Sequence, residues 1–152
     1  MKTAIIFPIL CCWAHLLYAQ LQVDFSAGNF QGWRGDSSKF AVVNGALQLM
    51  DNTPGTSNQA YLALPAPTGR DTTTSWEFLI KLDFSPSPTN LAKVYLTASQ
   101  ADLSMPLNGY FVQIGGVNQD VDALQLFRQD GDKALAFLNG RSGGVGTPTV
   151  NV

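Results

Sequence analysis

Short apolar or alternating segments recur along the chain, and each ends at Gly, Pro, Asn or Asp. This spacing is typical of antiparallel β-structure, in which consecutive strands are joined by tight turns. The pattern predicts nine strands and no helix. The predicted strands lie at residues 22–25, 40–43, 46–50, 59–63, 75–84, 93–98, 110–115, 123–129 and 134–139.

Two of the turns between predicted strands favour tight hairpins. Asn44 and Gly45 separate two short apolar segments, and both residue types tolerate positive φ. We therefore expect a two-residue hairpin at this point. Asp130 and Gly131 separate the last two predicted strands in the same way, and we expect the next two residues to lengthen that loop.

The predicted strand at residues 75–84 has the clearest two-residue period. One of its sides carries Trp76, Phe78, Ile80, Leu82 and Phe84. Because successive side chains of a strand point to opposite faces, this pattern predicts a strand whose aromatic face packs into the core. We expect Trp76 to be buried there.

The N-terminal segment has the organisation of a secretory signal peptide. A basic start at Lys2 is followed by an apolar run at residues 4–17 and a small residue at Ala19. The run is shorter than the roughly 20 residues that span a bilayer. We therefore expect residues 1–19 to be a cleaved leader and residues 20–152 to be one β-sandwich domain, secreted or displayed at the cell surface, with no transmembrane segment.

The C-terminal residues suggest that the domain continues. A Gly-rich segment at residues 140–148 is followed at residues 149–152 by renewed β-type alternation. We interpret these residues as the start of a further strand, so the sandwich is expected to be incomplete at its C-terminus. A sheet without all of its partner strands should expose apolar edges, and we expect poor solubility when the chain is expressed alone.

Composition and charge argue against a function in nucleic-acid binding. Charged residues make up 13% of the chain, about half of their usual share of roughly 25%. The chain has 9 basic and 11 acidic residues and a net charge of −2, so it lacks the positive field that attracts nucleic acid.

Removal of the leader also removes every cysteine and histidine of the sequence. Cys11, Cys12 and His15 all lie within residues 1–19. The mature chain then has neither a thiol nor an imidazole, which nucleophilic hydrolysis and common zinc sites require. Glycoside hydrolysis needs two carboxylic acids, and Glu77 is the only glutamate in the sequence. We expect no enzyme activity and no catalytic residue.

Five segments resemble the amino-terminal domain of large secreted bacterial surface proteins that carry lamin-tail and Ig-like repeats. The segments are GWRGD (32–36), FAVVNGALQL (40–49), WEF (76–78), NLAKVYL (90–96) and LNGYFVQIGG (107–116). The resemblance implies a jelly roll of the concanavalin A-like lectin/glucanase type, which laminin-G-like modules also use. It further implies a longer domain than the one present, so that this chain would be a fragment. The Glu-x-Asp-x-x-Glu strand of the glucanases in that superfamily is not found in this sequence.

Carbohydrate binding is the function that the remaining residues favour. Sugar rings stack on exposed aromatic side chains, while amides and charged groups bind their hydroxyls. The aromatic candidates are Trp33, Tyr61, Tyr95, Tyr110 and Phe127, with Asn108, Gln113 and Arg128 as polar neighbours. Trp33 lies in a turn between glycines and Tyr110 follows Asn108 and Gly109, so both are expected to be at least partly exposed. The predicted ligand site consists of Trp33, Asn108, Tyr110 and Arg128.

Two pairs of acidic residues form a candidate metal site. These are Asp120 with Asp122 and Asp130 with Asp132, all close to predicted loops. Calcium takes six to eight oxygen ligands and suits such carboxylates. The other interpretation is that the four are polar turn residues. We expect no other cofactor.

The sequence as a whole predicts an exported binding or adhesion module whose partner is an extracellular glycan or a surface protein. Two alternatives remain open. One is a structural spacer or cap without a ligand. The other is a glycoside hydrolase whose catalytic acids lie beyond Val152.

Overall fold

The computed structural model describes residues 21–51, 59–66, 73–117, 121–145 and 150–151. The predicted leader lies outside these residues. The described chain forms ten β-strands and includes a 3₁₀ turn at Ser37–Lys39. The strands are β1 (Arg34–Gly35), β2 (Phe40–Val43), β3 (Ala46–Leu49), β4 (Leu62–Ala63), β5 (Lys81–Leu82), β6 (Ala92–Ala98), β7 (Gly109–Ile114), β8 (Leu124–Asp130), β9 (Lys133–Asn139) and β10 (Val150–Asn151).

All strand pairs are antiparallel, which confirms the predicted all-β class. Strands β6, β7, β8 and β9 form one four-stranded sheet in chain order. The remaining strands form the pairs β1–β4, β2–β3 and β5–β10. Such antiparallel sheets are consistent with a β-sandwich. Among the described residues, no helix has the length and apolar character needed to cross a membrane.

Turn chemistry explains the two tightest hairpins. The β2–β3 turn is the predicted two-residue hairpin, with positive φ at Asn44 (50°) and Gly45 (76°). The β8–β9 turn is shorter than predicted, because Asp130 pairs in register with Lys133. Gly131, with φ of 61°, and Asp132 therefore complete a two-residue turn in which glycine occupies the first position.

The four-stranded sheet has two chemically different faces. The face that we call the aromatic–amide face carries Lys93, Tyr95, Phe111, Gln113, Gln125, Phe127, Gln129 and Asn139. The opposite, aliphatic face carries Val94, Tyr110, Val112, Ile114, Leu126, Arg128, Leu135 and Leu138. The strands alternate between the faces as a two-residue period requires, so each face has its own environment.

A bulge in β9 enlarges the aliphatic face. Leu126 pairs with Leu138 and Phe127 pairs with Ala136, which leaves Phe137 as the extra residue. The ring of Phe137 contacts that of Tyr110 with its centroid 6.0 Å away, so it lies on the aliphatic face.

The apolar core covers one end of the aliphatic face. Leu82, Ile114 and Val145 are buried together, with Ile80, Phe84 and Ala92 packed around them. At the other end, Leu135 is 73% exposed and Leu138 is 59% exposed. The second layer therefore covers only part of the sheet in the described structure.

Two predictions of strands are wrong. Residues 22–25 and most of 75–84 form no ladder, and only Lys81–Leu82 of the second segment is a strand. Trp76 is 46% exposed and Phe78 is 39% exposed, so the expected burial of Trp76 is also wrong. The alternation of apolar and polar residues indicated an extended chain. Burial also requires an opposing layer of the protein, and none covers Trp76 and Phe78 in the described structure.

Candidate functional site

Three aromatic rings lie side by side on the aromatic–amide face. Tyr95, Phe111 and Phe127 are in register on β6, β7 and β8. The centroid of Phe111 lies 5.0 Å from that of Tyr95 and 4.9 Å from that of Phe127, and the two phenylalanine rings are nearly parallel. Phe111, the central ring of the row, is only 1% exposed, so the three rings pack closely against one another on this face of the sheet.

A polar row lies beside the aromatic one. Lys93, Gln113, Gln125 and Asn139 are in register across the four strands. The Lys93 ammonium lies 4.9 Å from the centroid of the Phe111 ring, within the range of a cation–π interaction. Gln125 donates a 2.7 Å hydrogen bond to the side chain of Asn139. The described strands place no Asp or Glu on this face.

A cavity of about 200 Å³ opens beside these rows. Its volume is below the roughly 300–1,000 Å³ of sites for drug-sized ligands, so it suits a smaller group. The sheet provides one wall of the cavity and the segment between β6 and β7 provides another. The lining residues are Gln59, Lys93, Tyr95, Leu103, Ser104, Met105, Pro106, Gln129, Asp132 and Ala134.

Hydrogen bonds fix the polar groups on the sheet side of the cavity. The Tyr95 hydroxyl donates to Gln129 Oε1 at 2.6 Å, and Gln129 Nε2 donates to the Gly131 carbonyl at 2.9 Å. Burial raises the pKa of Tyr95 from its ordinary value of 10.0, so this hydroxyl is neutral at physiological pH. Its oxygen retains the capacity to accept a hydrogen bond from a ligand.

The segment between β6 and β7 is held in shape by its own hydrogen bonds. Ser99 Oγ accepts from the backbone N–H of Asn108 at 2.9 Å. Gln100 donates to the Asp102 and Pro106 carbonyls at 3.3 and 3.2 Å. Asp102 in turn accepts two hydrogen bonds from Ser104, at 3.0 Å from the amide and 2.6 Å from the hydroxyl. The cavity wall is thus shaped before any ligand arrives.

Contacts at each end of the segment anchor this wall. Asn108 Oδ1 accepts from the Gly131 N–H at 3.0 Å, which ties the segment to the β8–β9 turn. A hydrogen bond between the side chains of Tyr61 and Asp102 is the largest cause of a raised Tyr61 pKa. The Tyr61 amide donates to Asp36 Oδ2 at 3.0 Å, so the anchor extends to the segment that carries β1.

The predicted ligand residues do not form one site. Tyr110, which is 43% exposed, and Arg128 lie directly opposite each other, but on the aliphatic face. Asn108 serves as the anchor to Gly131. The partly buried Trp33 packs against Phe25 in the segment before β1, with ring centroids 5.9 Å apart.

The cavity and its face of the sheet contain three of the other residues predicted as candidates for sugar binding. Tyr95 lines it, and Phe127 and Gln113 lie on the same face of the sheet. Lys93 and Gln129 were missed, although each lies two residues from one of the candidate aromatics and so shares its face. No sequence pattern identified residues 103–106 as part of the cavity wall. Their position depends on how the loop between β6 and β7 folds back over the sheet.

The predicted metal ligands are placed apart. Asp120 lies outside the described residues. Asp122 is buried, whereas Asp130 ends β8 and Asp132 is exposed in the following turn, where it lines the cavity. No group of three acidic, histidine or cysteine side chains in the described part of the chain could hold a metal ion.

No protein-family model matches the chain, and no curated protein or solved structure shows significant similarity to it. Function must therefore be inferred from the geometry of the cavity itself.

Proposed function

We propose that this chain is an exported extracellular binding module that holds a saccharide unit in the cavity beside Tyr95. The observation that carries the proposal is the cavity of about 200 Å³, whose polar lining is already ordered by the Tyr95–Gln129 hydrogen bond. The cavity is smaller than most ligand sites, but oriented polar groups of this kind are what fix the orientation of a bound ligand.

The lining provides the polar contacts that a sugar ring needs. Tyr95, Gln129 and Ser104 offer hydroxyl and amide groups to sugar hydroxyls. Leu103 and Met105 contribute only a small part of the cavity surface, which is mainly polar. Such a lining favours a ligand that carries several hydroxyl groups.

The internal hydrogen bonds of residues 99–108 support this assignment. A loop that must be ordered during binding reduces the affinity by the entropy it loses. The bonds within the loop and from Asn108 to Gly131 provide that order in advance. A shallow, preshaped site of this kind suits binding of part of an extended glycan.

We favour binding over catalysis because the sequence contains few of the residue types that commonly perform catalysis. After removal of the leader the chain contains no histidine or cysteine, and its one glutamate, Glu77, is exposed outside the sheet. The hydrolase alternative is the one in which the catalytic acids lie beyond Val152. The secretory leader, the jelly-roll topology and the kinship with amino-terminal domains of bacterial surface proteins belong to this proposal, and rest on the sequence motifs.

The structural spacer or cap is the second candidate. Its supporting observation is the uncovered end of the aliphatic face, where Leu135 and Leu138 are largely exposed. Exposed apolar surface of this kind commonly marks contact with another protein layer. A spacer would use this face and would have no ligand in the cavity.

A glycan array probed with the secreted chain separates these candidates. Tyr95→Phe removes one hydroxyl from the cavity, and Tyr110→Phe removes the same group from the aliphatic face. We expect the wild type and Tyr110→Phe to bind the same glycans. We expect Tyr95→Phe to lose about tenfold in affinity, equivalent to about 1.4 kcal/mol, with an unchanged circular dichroism spectrum.

The other outcomes are equally informative. A wild-type chain that binds no glycan would support the spacer and reject the binding module. Loss of binding in Tyr110→Phe with retention in Tyr95→Phe would move the site to the opposite face.

A further inference from the structure

Lys93 is the one cationic side chain among the residues that line the cavity. Lys39 and Lys81 form ion pairs, at 2.9 Å with Asp51 and at 2.8 Å with Asp83. Lys93 has no carboxylate within ion-pair distance in the described part of the chain. Its positive charge is therefore not neutralised by the protein around it.

The position of the Lys93 ammonium is nevertheless defined. It lies over the Phe111 ring, which attracts a cation but does not cancel its charge. Its in-register neighbour on β7 is Gln113, and the row continues through Gln125 and Asn139, so the rest of this row consists of neutral amides. The ammonium is held at the cavity with its charge available.

We infer that the cavity selects a saccharide that carries a carboxylate or sulfate group, with Lys93 as the residue that binds this anion. The inference rests on the proposed function, because it names the class of glycan that the same site would take. A hydrogen bond between an ammonium and an anion is roughly twice as strong as one between neutral groups. One such contact is sufficient to separate acidic from neutral sugars of the same shape.

The partial loss of hydration at Lys93 also favours binding of an anion. Although its side chain reaches solvent, partial burial lowers the pKa of the ammonium from its ordinary value of 10.5. An ammonium that has lost part of its water gains more from an anionic partner than a fully hydrated one.

Asp132 is the carboxylate among the residues that line the cavity, and it lies in the β8–β9 turn. Lys93 lies on β6, the strand at the opposite edge of the sheet from β9. Because like charges repel, we expect the acidic group of the ligand to point towards β6 and away from the turn.

The test uses a matched pair of ligands, a uronic-acid trisaccharide and the same trisaccharide after reduction of its carboxylates to alcohols. Binding of both is measured by calorimetry with the wild-type chain, Lys93→Gln and Lys81→Gln. The Lys81 variant has the same change in charge, at a strand outside the cavity. We expect the wild type and Lys81→Gln to prefer the acidic ligand by about tenfold, and this preference to decrease as salt is added.

Lys93→Gln is expected to bind both ligands equally, at the affinity of the wild type for the neutral one. Equal binding of the two ligands by the wild type, or an unchanged preference in Lys93→Gln, would overturn the inference and leave the proposed function intact. Binding of neither ligand, together with a glycan array without any positive, would overturn both.

Discussion

The carboxylate of Asp122 accepts a 2.9 Å hydrogen bond from the backbone N–H of Val117 through only one of its oxygens. The other oxygen, Oδ2, is buried and has no hydrogen-bond partner in the described structure. A buried carboxylate oxygen without a hydrogen-bond partner is costly, because burial removes the water that would otherwise bind it. Asp122 is therefore a position where charge and hydrogen bonding can be separated by mutation.

We expect Asp122→Asn to fold at least as stably as the wild type at neutral pH, because it keeps the acceptor for Val117 and removes the charge. Asp122→Ala leaves the Val117 amide unpaired, and should lower the free energy of unfolding by about 1–3 kcal/mol. Urea unfolding of the three proteins measures both effects. Equal destabilisation in both variants would show that the carboxylate itself is required at this position.

The approach of β6 to β7 depends on glycine at position 109. A Cβ at Gly109 would collide with the backbone carbonyl of Thr97 on the neighbouring strand. We expect Gly109→Ala to destabilise the fold by about 1–3 kcal/mol, the usual cost of forcing extra volume into a packed site. Chemical denaturation provides the measurement.

Gly131→Ala is the matched control for this substitution. A Cβ at Gly131 meets open space, so only the positive φ of 61° opposes it. The expected cost is about 1–2 kcal/mol. A Gly109→Ala protein as stable as the wild type would show that β6 and β7 do not approach as closely as described.

The anchor between Tyr61 and Asp102 should depend on pH at both extremes. Hydrogen bonds from the Ser104 side chain and amide, followed by one from Tyr61, lower the pKa of Asp102 below its ordinary value of 3.8. The contribution of Asp102 to stability is therefore complete above pH 3.8 and is lost as the pH falls through its lower folded pKa. The Tyr61 pKa is raised, so its contribution is complete below pH 10.0 and is lost as the pH rises through the folded value.

We expect Asp102→Asn to return the Tyr61 pKa towards its ordinary value, because the largest cause of the shift is removed. Ultraviolet absorbance of tyrosinate follows this titration. Asp24→Asn is the control, since Asp24 also has a pKa lowered by a neighbouring serine, Ser26, but is not paired with a tyrosine. A Tyr61 titration unchanged in Asp102→Asn would contradict the anchor.

The uncovered end of the aliphatic face should govern solubility. Leu135 and Leu138 are 73% and 59% exposed on the same face of the edge strand β9. Replacing both with Thr should increase the monomer fraction in size-exclusion chromatography without lowering the melting temperature. Leu79→Thr changes a still more exposed leucine outside the ladder, and should have a smaller effect. A wild-type chain that is fully monomeric and melts sharply would contradict the exposed face.

Local patterns predicted the strands whose partners are close in the chain. The Asn44–Gly45 turn predicted the hairpin of β2 and β3. Alternating apolar and polar residues between turns predicted β6 to β9, whose observed bounds lie within one residue of the predicted ones. Residues 75–84 failed because extended character is local, whereas burial of Trp76 depends on a layer distant in sequence. Pairing of β5 with β10 likewise joins residues far apart in the chain.

The candidate site was less predictable for the same reason. The glycines beside Trp33 and Tyr110 indicate local turns in which a side chain can be exposed. They do not show that Tyr110 lies on the face of the sheet opposite the cavity. Tyr95 was identified as an aromatic candidate, but its bond to Gln129 and the wall at residues 103–106 arise only when three strands and a loop meet. Asn108 was predicted as a polar ligand and instead holds Gly131.

The proposed glycan site, the cavity on the aromatic–amide face, is tested most directly by a nuclear magnetic resonance titration of the isotope-labelled chain with an acidic oligosaccharide. We expect the shifted amide signals to cluster at Lys93, Tyr95, Gln129 and residues 103–106. Shifts confined to Trp33, Tyr110 and Arg128, or no shifts at saturating ligand, would contradict it.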